Sequence, residues 1–298
     1  MKSAAFDYRD PHTLAEALAI LSQYGEDAKV LAGGQSLVPM MNFRLARPAV
    51  IVDINRIPEL AYILNTEEEI CIGAMTRQAE VETDDRLKRN YPLLPDAIRY
   101  IAHPAIRNRG TIGGSLAHAD PAAELAAVAL CGEAEIKIRS QEQQRWVSSR
   151  EFFHGPYTTS LEPVEILEEI KFPRLSAAAE TVFLELSRRE GDFAMAAVAA
   201  VLELDGDGNC HQVRIALCGA GAVPYRAVGT EKILIGERLT SKVLTEAVSA
   251  VTEGLEPYND VHASSEYREH LARVLTHRAL EQLIERVENR NHSENNAS

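Results

Sequence analysis

The spacing of apolar residues divides the chain into a series of short helices and strands. Leu14, Leu18 and Leu21 fall on one helical face, Thr13 and Glu16 form a capping box, and Gly25 stops the run. That predicts a helix over 13–25. Lys29–Leu31 and Val50–Ile54 read as buried strands, with an apolar segment from Leu37 to Phe43 between them. Glu69–Ala74 is strand-like, and helical periodicity covers 76–87 and 92–101. An alanine-rich helix is expected over 121–130, a half-buried strand over Glu135–Arg139, and another strand over 165–172 closed by Pro173.

Ser176–Ala179 reads as a linker. Beyond it, strands at 194–204 and 213–219 flank Asp205-Gly206-Asp207-Gly208-Asn209, a turn by composition. Helices are expected over 240–253 and 265–288. The pattern implies an α+β protein with subdomains at 1–56 and 57–176, a C-terminal domain at 177–288, and a polar tail at 289–298 with no reason to be ordered.

Composition narrows the class. The 298 residues are 46% hydrophobic and 25% charged, as in ordinary globular proteins. With 31 Lys and Arg against 44 Asp and Glu, the net charge is −13, which argues against nucleic acid or an anionic membrane as partner. Cys71, Cys131, Cys210 and Cys218 lack the close spacing of metal or cluster ligands. No apolar run reaches the roughly 18 residues of a membrane span, and the first ten residues break into charge before any signal-peptide core. The expectation is a cytoplasmic protein.

Two glycine motifs carry the chemistry: Ala32-Gly33-Gly34-Gln35-Ser36 and Thr111-Ile112-Gly113-Gly114-Ser115. Glycine lets successive backbone N–H groups turn toward one point and lets an anion approach closely. Either motif alone is more often a tight turn. Two in one region, each with hydroxyl side chains, point to a dinucleotide held between subdomains. No G-x-G-x-x-G follows a strand and no P-loop exists, which sets aside the Rossmann and Walker alternatives. The 205–209 turn fails as a calcium loop because its sixth position is Cys210 and its twelfth Ala216.

The segments 29–37, Ile57-Pro58-Glu59-Leu60 and 106–121 (IRNRGTIGGSLAHADP), with Arg188–Ala194 and Cys218-Gly219-Ala220, resemble the FAD-binding medium subunit of molybdenum hydroxylases. This is the group of carbon monoxide dehydrogenase, quinoline oxidoreductase and xanthine dehydrogenase. The resemblance spans 6–287. It implies a two-subdomain FAD-binding fold of the PCMH/VAO type, followed by a C-terminal α+β domain with a small antiparallel sheet and helices.

The same resemblance implies site residues. Ala32, Gly33, Gly34, Gln35 and Ser36, with Lys29, Leu31 and Leu37 beside them, would wrap the FAD diphosphate. Thr111, Ile112, Gly113, Gly114 and Ser115 would bind the diphosphate and ribityl region. Glu124 would meet the adenosine ribose, with Asp120 a second candidate, and the Leu167 backbone would approach the adenine. Ile101, Ala102 and Ile106 would line the flavin, and His118 sits where it could touch it. Phe193 stands where the family often has a tyrosine against the isoalloxazine, so the aromatic face is kept and the hydroxyl lost.

The resemblance implies FAD, with molybdopterin and [2Fe–2S] clusters only on a large and a small partner subunit; the FAD is expected to be non-covalent because no His or Cys in either loop has the context of a tether. The assembly would be a heterotrimer, or a dimer of heterotrimers. A stand-alone flavin oxidase of the related fold is the competing reading. It would need His103 or His118 as a covalent tether, and nothing in the sequence marks either. A non-catalytic nucleotide-binding scaffold is a third.

Overall fold

The computed structural model describes residues 2–295, with side chains described through Arg290. The chain divides into two compact units interleaved in sequence. One holds residues 1–83, 103–120 and 133–173; the other holds 84–102, 121–132 and 174–298.

The first unit begins with a parallel sheet of β1 (Asp7–Arg9), β2 (Ala28–Leu31) and β3 (Val50–Asp53), in the order β1-β3-β2. The helix Leu14–Tyr24 buries Leu14, Ala17, Leu18 and Leu21 in one apolar cluster with Ala28, Val50 and Val52. Its ends follow the sequence: Thr13 Oγ1 accepts from the Glu16 N–H at 3.2 Å, and Gly25 (φ +51°) closes it. The Glu16 carboxylate accepts from the His12 N–H rather than from the cap itself. Strand β1 has no apolar signal because all three of its residues are exposed.

An antiparallel sheet of β4 (Ile63–Asn65), β5 (Glu69–Gly73), β6 (Glu135–Arg139), β7 (Gln144–Ser148) and β10 (Ile166–Pro173) completes the core of this unit, in the order β4-β5-β10-β6-β7. A ribbon of β8 (Phe153–Gly155) and β9 (Thr158–Thr159) lies apart. The helical pattern over 76–87 is broken in two, Gln78–Thr83 and Asp85–Asn90. Asp84 causes the break, because its carboxylate accepts from the Arg86 and Leu87 N–H groups and starts a new helix.

In the second unit β11 (Glu180–Ser187), β12 (Ala194–Leu204), β13 (Cys210–Cys218) and β14 (Tyr225–Arg226) form an antiparallel sheet in chain order. The helices Glu124–Cys131 and Ser265–Asn295 both pack against β12, which explains its nine consecutive buried residues. Glu124–Cys131 is itself buried at every position. The last helix runs through Asn295, well into the segment expected to be a polar tail; residues 296–298 of that segment lie outside the described residues. A helix over Val228–Leu234 and strand β11 add to the elements expected from the sequence. Among the described residues no helix is long and apolar enough to cross a membrane.

Candidate functional site

Strand β2 ends at Leu31 and hands the chain to the first glycine loop, Ala32–Ser36, which feeds the helix Leu37–Asn42. Among the described residues, the backbone N–H groups of Gly33, Gly34, Gln35 and Ser36 donate to no acceptor. Four successive unengaged donors on a partly buried loop are available to an anion. Gly34 sits at φ +75°, a conformation that only glycine adopts at little cost. Lys29 is exposed just upstream, while Leu31 and Leu37 flank the loop half-buried.

The second motif is built differently from the loop expected of it. Ile112-Gly113-Gly114-Ser115 is the first turn of a helix, Ile112–His118, capped by Thr111. Its leading N–H groups are already used: Ile112 donates to Thr76 O (3.1 Å), Gly113 to Ala74 O (2.9 Å) and Gly114 to Thr111 Oγ1 (3.0 Å). The two glycines serve packing. A Cβ on Gly113 would lie 2.8 Å from Ala74 Cα, and one on Gly114 would lie 2.6 Å from Thr111 Oγ1 and 3.4 Å from Ala32 Cβ. What this motif still offers a ligand is the Ser115 hydroxyl, which like that of Ser36 has no partner among the described residues.

The two motifs are clamped together. Gly33 packs against the backbone of Arg109 and Gly110, where no Cβ fits. Asn55 donates to Ala32 O (2.8 Å), and its own carbonyl accepts from Arg77 (2.6 Å). Arg77 also donates to Arg109 O, and the Gln78 N–H donates to Gly110 O at 2.9 Å. Asp53 completes the network, accepting from Tyr8 Oη and the Asn55 side chain. Burial would raise the Asp53 pKa, but the hydrogen bonds from Tyr8 and Asn55 outweigh it and hold it below the ordinary value. Sequence reasoning missed Asp53, Asn55 and Arg77; the only available signal was the polar Asp-Ile-Asn closing a buried strand.

The remaining candidates divide between the units. In the first, the His118 ring lies 5.0 Å from the Tyr157 ring and tilted by 44° to it, and the Tyr157 hydroxyl donates to Asp120 (3.3 Å). Burial lowers the His118 pKa, opposed by Asp120, which favours the uncharged ring. Ile106 is half-buried in the short helix Pro104–Arg107, and Leu167 is buried at a β-bulge of β10. In the second unit, Glu124 is buried in the first turn of its helix. Ile101 and Ala102 (φ +42°) follow Tyr100, and Phe193, 71% exposed, follows Gly191. Tyr100 and Gly191 both line a cavity of about 570 Å³ that also holds Phe183, Glu185, Gln282 and Arg286. Glu185 has a buried, unpartnered Oε2, and burial, with Glu124 nearby, pushes its pKa up to about 9.

Unengaged backbone donors at Gly33–Ser36, with the Ser36 and Ser115 hydroxyls, give this α+β protein a candidate site for an anionic group. Residues 4–175 match the family described as the FAD binding domain in molybdopterin dehydrogenase, and residues 181–283 match the CO dehydrogenase flavoprotein C-terminal domain. The chain is 42% identical over 287 residues to the 6-hydroxypseudooxynicotine dehydrogenase complex subunit alpha of Paenarthrobacter nicotinovorans, covering 96% of this chain and 97% of that one. It is 37% identical to the carbon monoxide dehydrogenase medium chain of Hydrogenophaga pseudoflava, over 92% and 96% of the two chains.

Among solved structures, the carbon monoxide dehydrogenase of Hydrogenophaga pseudoflava lacking the Mo-pyranopterin moiety superimposes with a TM-score of 0.93 at 37% identity, covering 95% and 98% of the chains. Quinoline 2-oxidoreductase from Pseudomonas putida 86 gives 0.91 at 36%, covering 96% and 99%. The chain therefore belongs to the FAD-binding medium-subunit family of molybdenum hydroxylases, as its motifs led us to expect. It is an oxidoreductase subunit.

Proposed function

We propose that this chain is the electron-relay subunit of a heteromeric molybdenum hydroxylase. It would accept electrons from [2Fe–2S] clusters on a small partner and deliver them to an external acceptor, while a molybdopterin-bearing large partner oxidises the substrate. The assembly would be a heterotrimer or a dimer of heterotrimers, placed in the cytoplasm. The observation that carries the reading is the Ala32–Ser36 loop, whose Gly33–Ser36 N–H groups meet no acceptor among the described residues while the neighbouring Asn55–Arg77 clamp is hydrogen-bonded.

In this reading Gly33–Ser36 hold the FAD diphosphate, with Ser36 and Ser115 adding hydroxyl donors. Lys29, Leu31, Ala32 and Leu37 flank that loop, and Thr111–Gly114 shape it by packing. Glu124 and Asp120 are the carboxylates for the ribose, although Asp120 already accepts from Tyr157. Leu167 backs the adenine; Ile101, Ala102, Ile106 and Phe193 border the flavin. Bound FAD supplies one- and two-electron chemistry that no side chain can. The protein orients it and sets its surroundings. Burial of His118 disfavours a charge on its ring, and the apolar Phe193 offers a ring face without a proton.

The test is made on the purified chain. It should carry FAD that acid precipitation releases into the supernatant, and an artificial donor should reduce it. It should oxidise no carbonyl, purine or N-heterocycle unaided. Turnover of such a substrate by the chain alone, or flavin retained in the acid pellet, would favour the stand-alone oxidase.

A further inference from the structure

Two backbone outliers meet just beyond the second glycine motif. The helix Ile112–His118 stops at Ala119, whose φ of +50° lies in the left-handed region. The Ala119 N–H returns to Ser115 O (3.3 Å) and Leu116 O (3.2 Å). Tyr157, at φ +57°, donates its own N–H to Ala119 O at 2.9 Å. Non-glycine residues stay in that region only where their surroundings over-determine them, and such residues cluster at ligand clamps and active sites.

Tyr157 is the less expected of the pair. It follows Pro156 in the two-residue connection of the β8–β9 ribbon, and a positive φ directly after a proline in a turn favours glycine or asparagine. The ribbon is firmly rooted, since Phe152 beside it is fully buried and the Ser160 N–H donates to Phe152 O at 2.9 Å. Burial does not explain the tyrosine, which is 58% exposed. Its contacts do, because they converge on one short segment. The backbone holds Ala119, the ring lies beside His118, and the hydroxyl donates to Asp120 Oδ2. Residues 118, 119 and 120 are thus all engaged by Tyr157, directly after the helix that carries the Ser115 hydroxyl.

The chemical effect falls on the Asp120 carboxylate. A carboxylate accepts from the hydroxyls of a sugar, and one already held by a donor loses less side-chain freedom when the sugar binds. Of the hydroxyls in FAD, those of the adenosine ribose are absent from FMN. We infer that Tyr157 is a positioning residue that fixes Asp120 for the adenosine ribose, so that the site selects FAD over FMN. This rests on the assignment of Asp120 to the ribose in the reading above and adds the residue that holds it there.

The test uses the full chain, stripped of flavin and titrated with FAD, FMN and ADP. Tyr157→Phe keeps the ring and removes only the hydroxyl. It should weaken FAD and ADP about tenfold, the scale of one hydrogen bond to a charged group, and leave FMN affinity unchanged. Asp120→Asn should weaken FAD and ADP at least as much. The double variant should lose no more than Asp120→Asn alone, because the two side chains act as one unit. Equal losses of FAD and FMN in Tyr157→Phe would mean a disturbed fold rather than a misplaced carboxylate, and would overturn the inference. Additive losses in the double variant would do the same. If Asp120→Asn weakens FAD but Tyr157→Phe does not, the ribose assignment stands and the inference alone falls. If Asp120→Asn leaves FAD affinity unchanged, the ribose assignment fails and takes the inference with it.

Discussion

Gly33 offers the sharpest test of the site, because the reason for a glycine there changed once the structure was known. Motif logic alone says that a side chain at this position would occupy the space of the bound anion. The structure shows that the space belongs to the protein: a Cβ would lie 2.9 Å from Gly110 Cα and 3.0 Å from the Arg109 carbonyl carbon, with the carbonyl oxygen nearer still. These are backbone atoms and cannot rotate away. Relief requires the two motifs to separate by several tenths of an ångström, against the Asn55–Ala32, Arg77–Arg109 and Gln78–Gly110 hydrogen bonds.

Overpacking of this kind costs about 1–3 kcal/mol, and each bond broken adds about 1 kcal/mol. For Gly33→Ala we therefore expect roughly 3 kcal/mol. If the deformation falls on the loop that holds the cofactor, that is about a hundredfold weaker FAD binding. Gly34→Ala is the control, since its neighbours are the flexible tips of Leu31 (3.2 Å) and Val38 (3.3 Å) and the penalty is mainly its φ of +75°. We expect about 1–2 kcal/mol there. Recovery of flavin fluorescence on dilution gives the affinity, and a thermal melt separates loop damage from global unfolding. Gly33→Ala binding FAD within twofold of wild type, with an unchanged melt, would refute the packing argument.

Arg77→Met leaves the Asn55 and Arg109 carbonyls without their donor, so we expect a loss of about 2 kcal/mol in thermal or urea unfolding; an unchanged midpoint would deny the clamp. Thr111→Ala removes the helix cap and should destabilise by about 1 kcal/mol without releasing FAD, as the Gly114 N–H alone is freed. Glu185 has a folded pKa raised to about 9, so the folded state holds its proton more tightly than the unfolded one and stability falls as pH rises between the unfolded value and 9. Glu185→Gln should raise the melting temperature at pH 8 and leave it unchanged at pH 4; a lower melting temperature at pH 8 would contradict this. Asp260 is depressed to about 2: its burial is outweighed by hydrogen bonds from Ala263, Arg268 and His262. Its contribution is present above the unfolded value and lost as pH falls toward 2, so Asp260→Asn should flatten the acid limb of the unfolding profile.

Local chemistry was legible wherever one element meets its surroundings in a simple way. The helix after Thr13 carries its cap, its apolar face and its glycine stop within thirteen residues, and β6 alternates because one of its faces is buried. The long motif around Thr111–Pro121 identified the family because many specific residues coincide in one stretch. Other features depend on partners distant in sequence. Strand β1 exists because its backbone pairs with β3, not because its exposed side chains favour a strand. Strand β11 forms by pairing along nearly the whole length of β12.

Which glycines free their N–H groups for a ligand could not be read from two similar motifs. Gly33 and Gly34 sit in a loop whose donors find no acceptor, whereas Gly113 and Gly114 open a helix whose donors are taken by Ala74 and Thr111. The clamp runs through Asn55, which bonds Asp53 two positions before it, Ala32 23 positions before it and Arg77 22 positions after it, residues that share no motif. Sequence records what each residue can do; hydrogen-bond capacity is spent only when the chain folds, and long-range packing decides where.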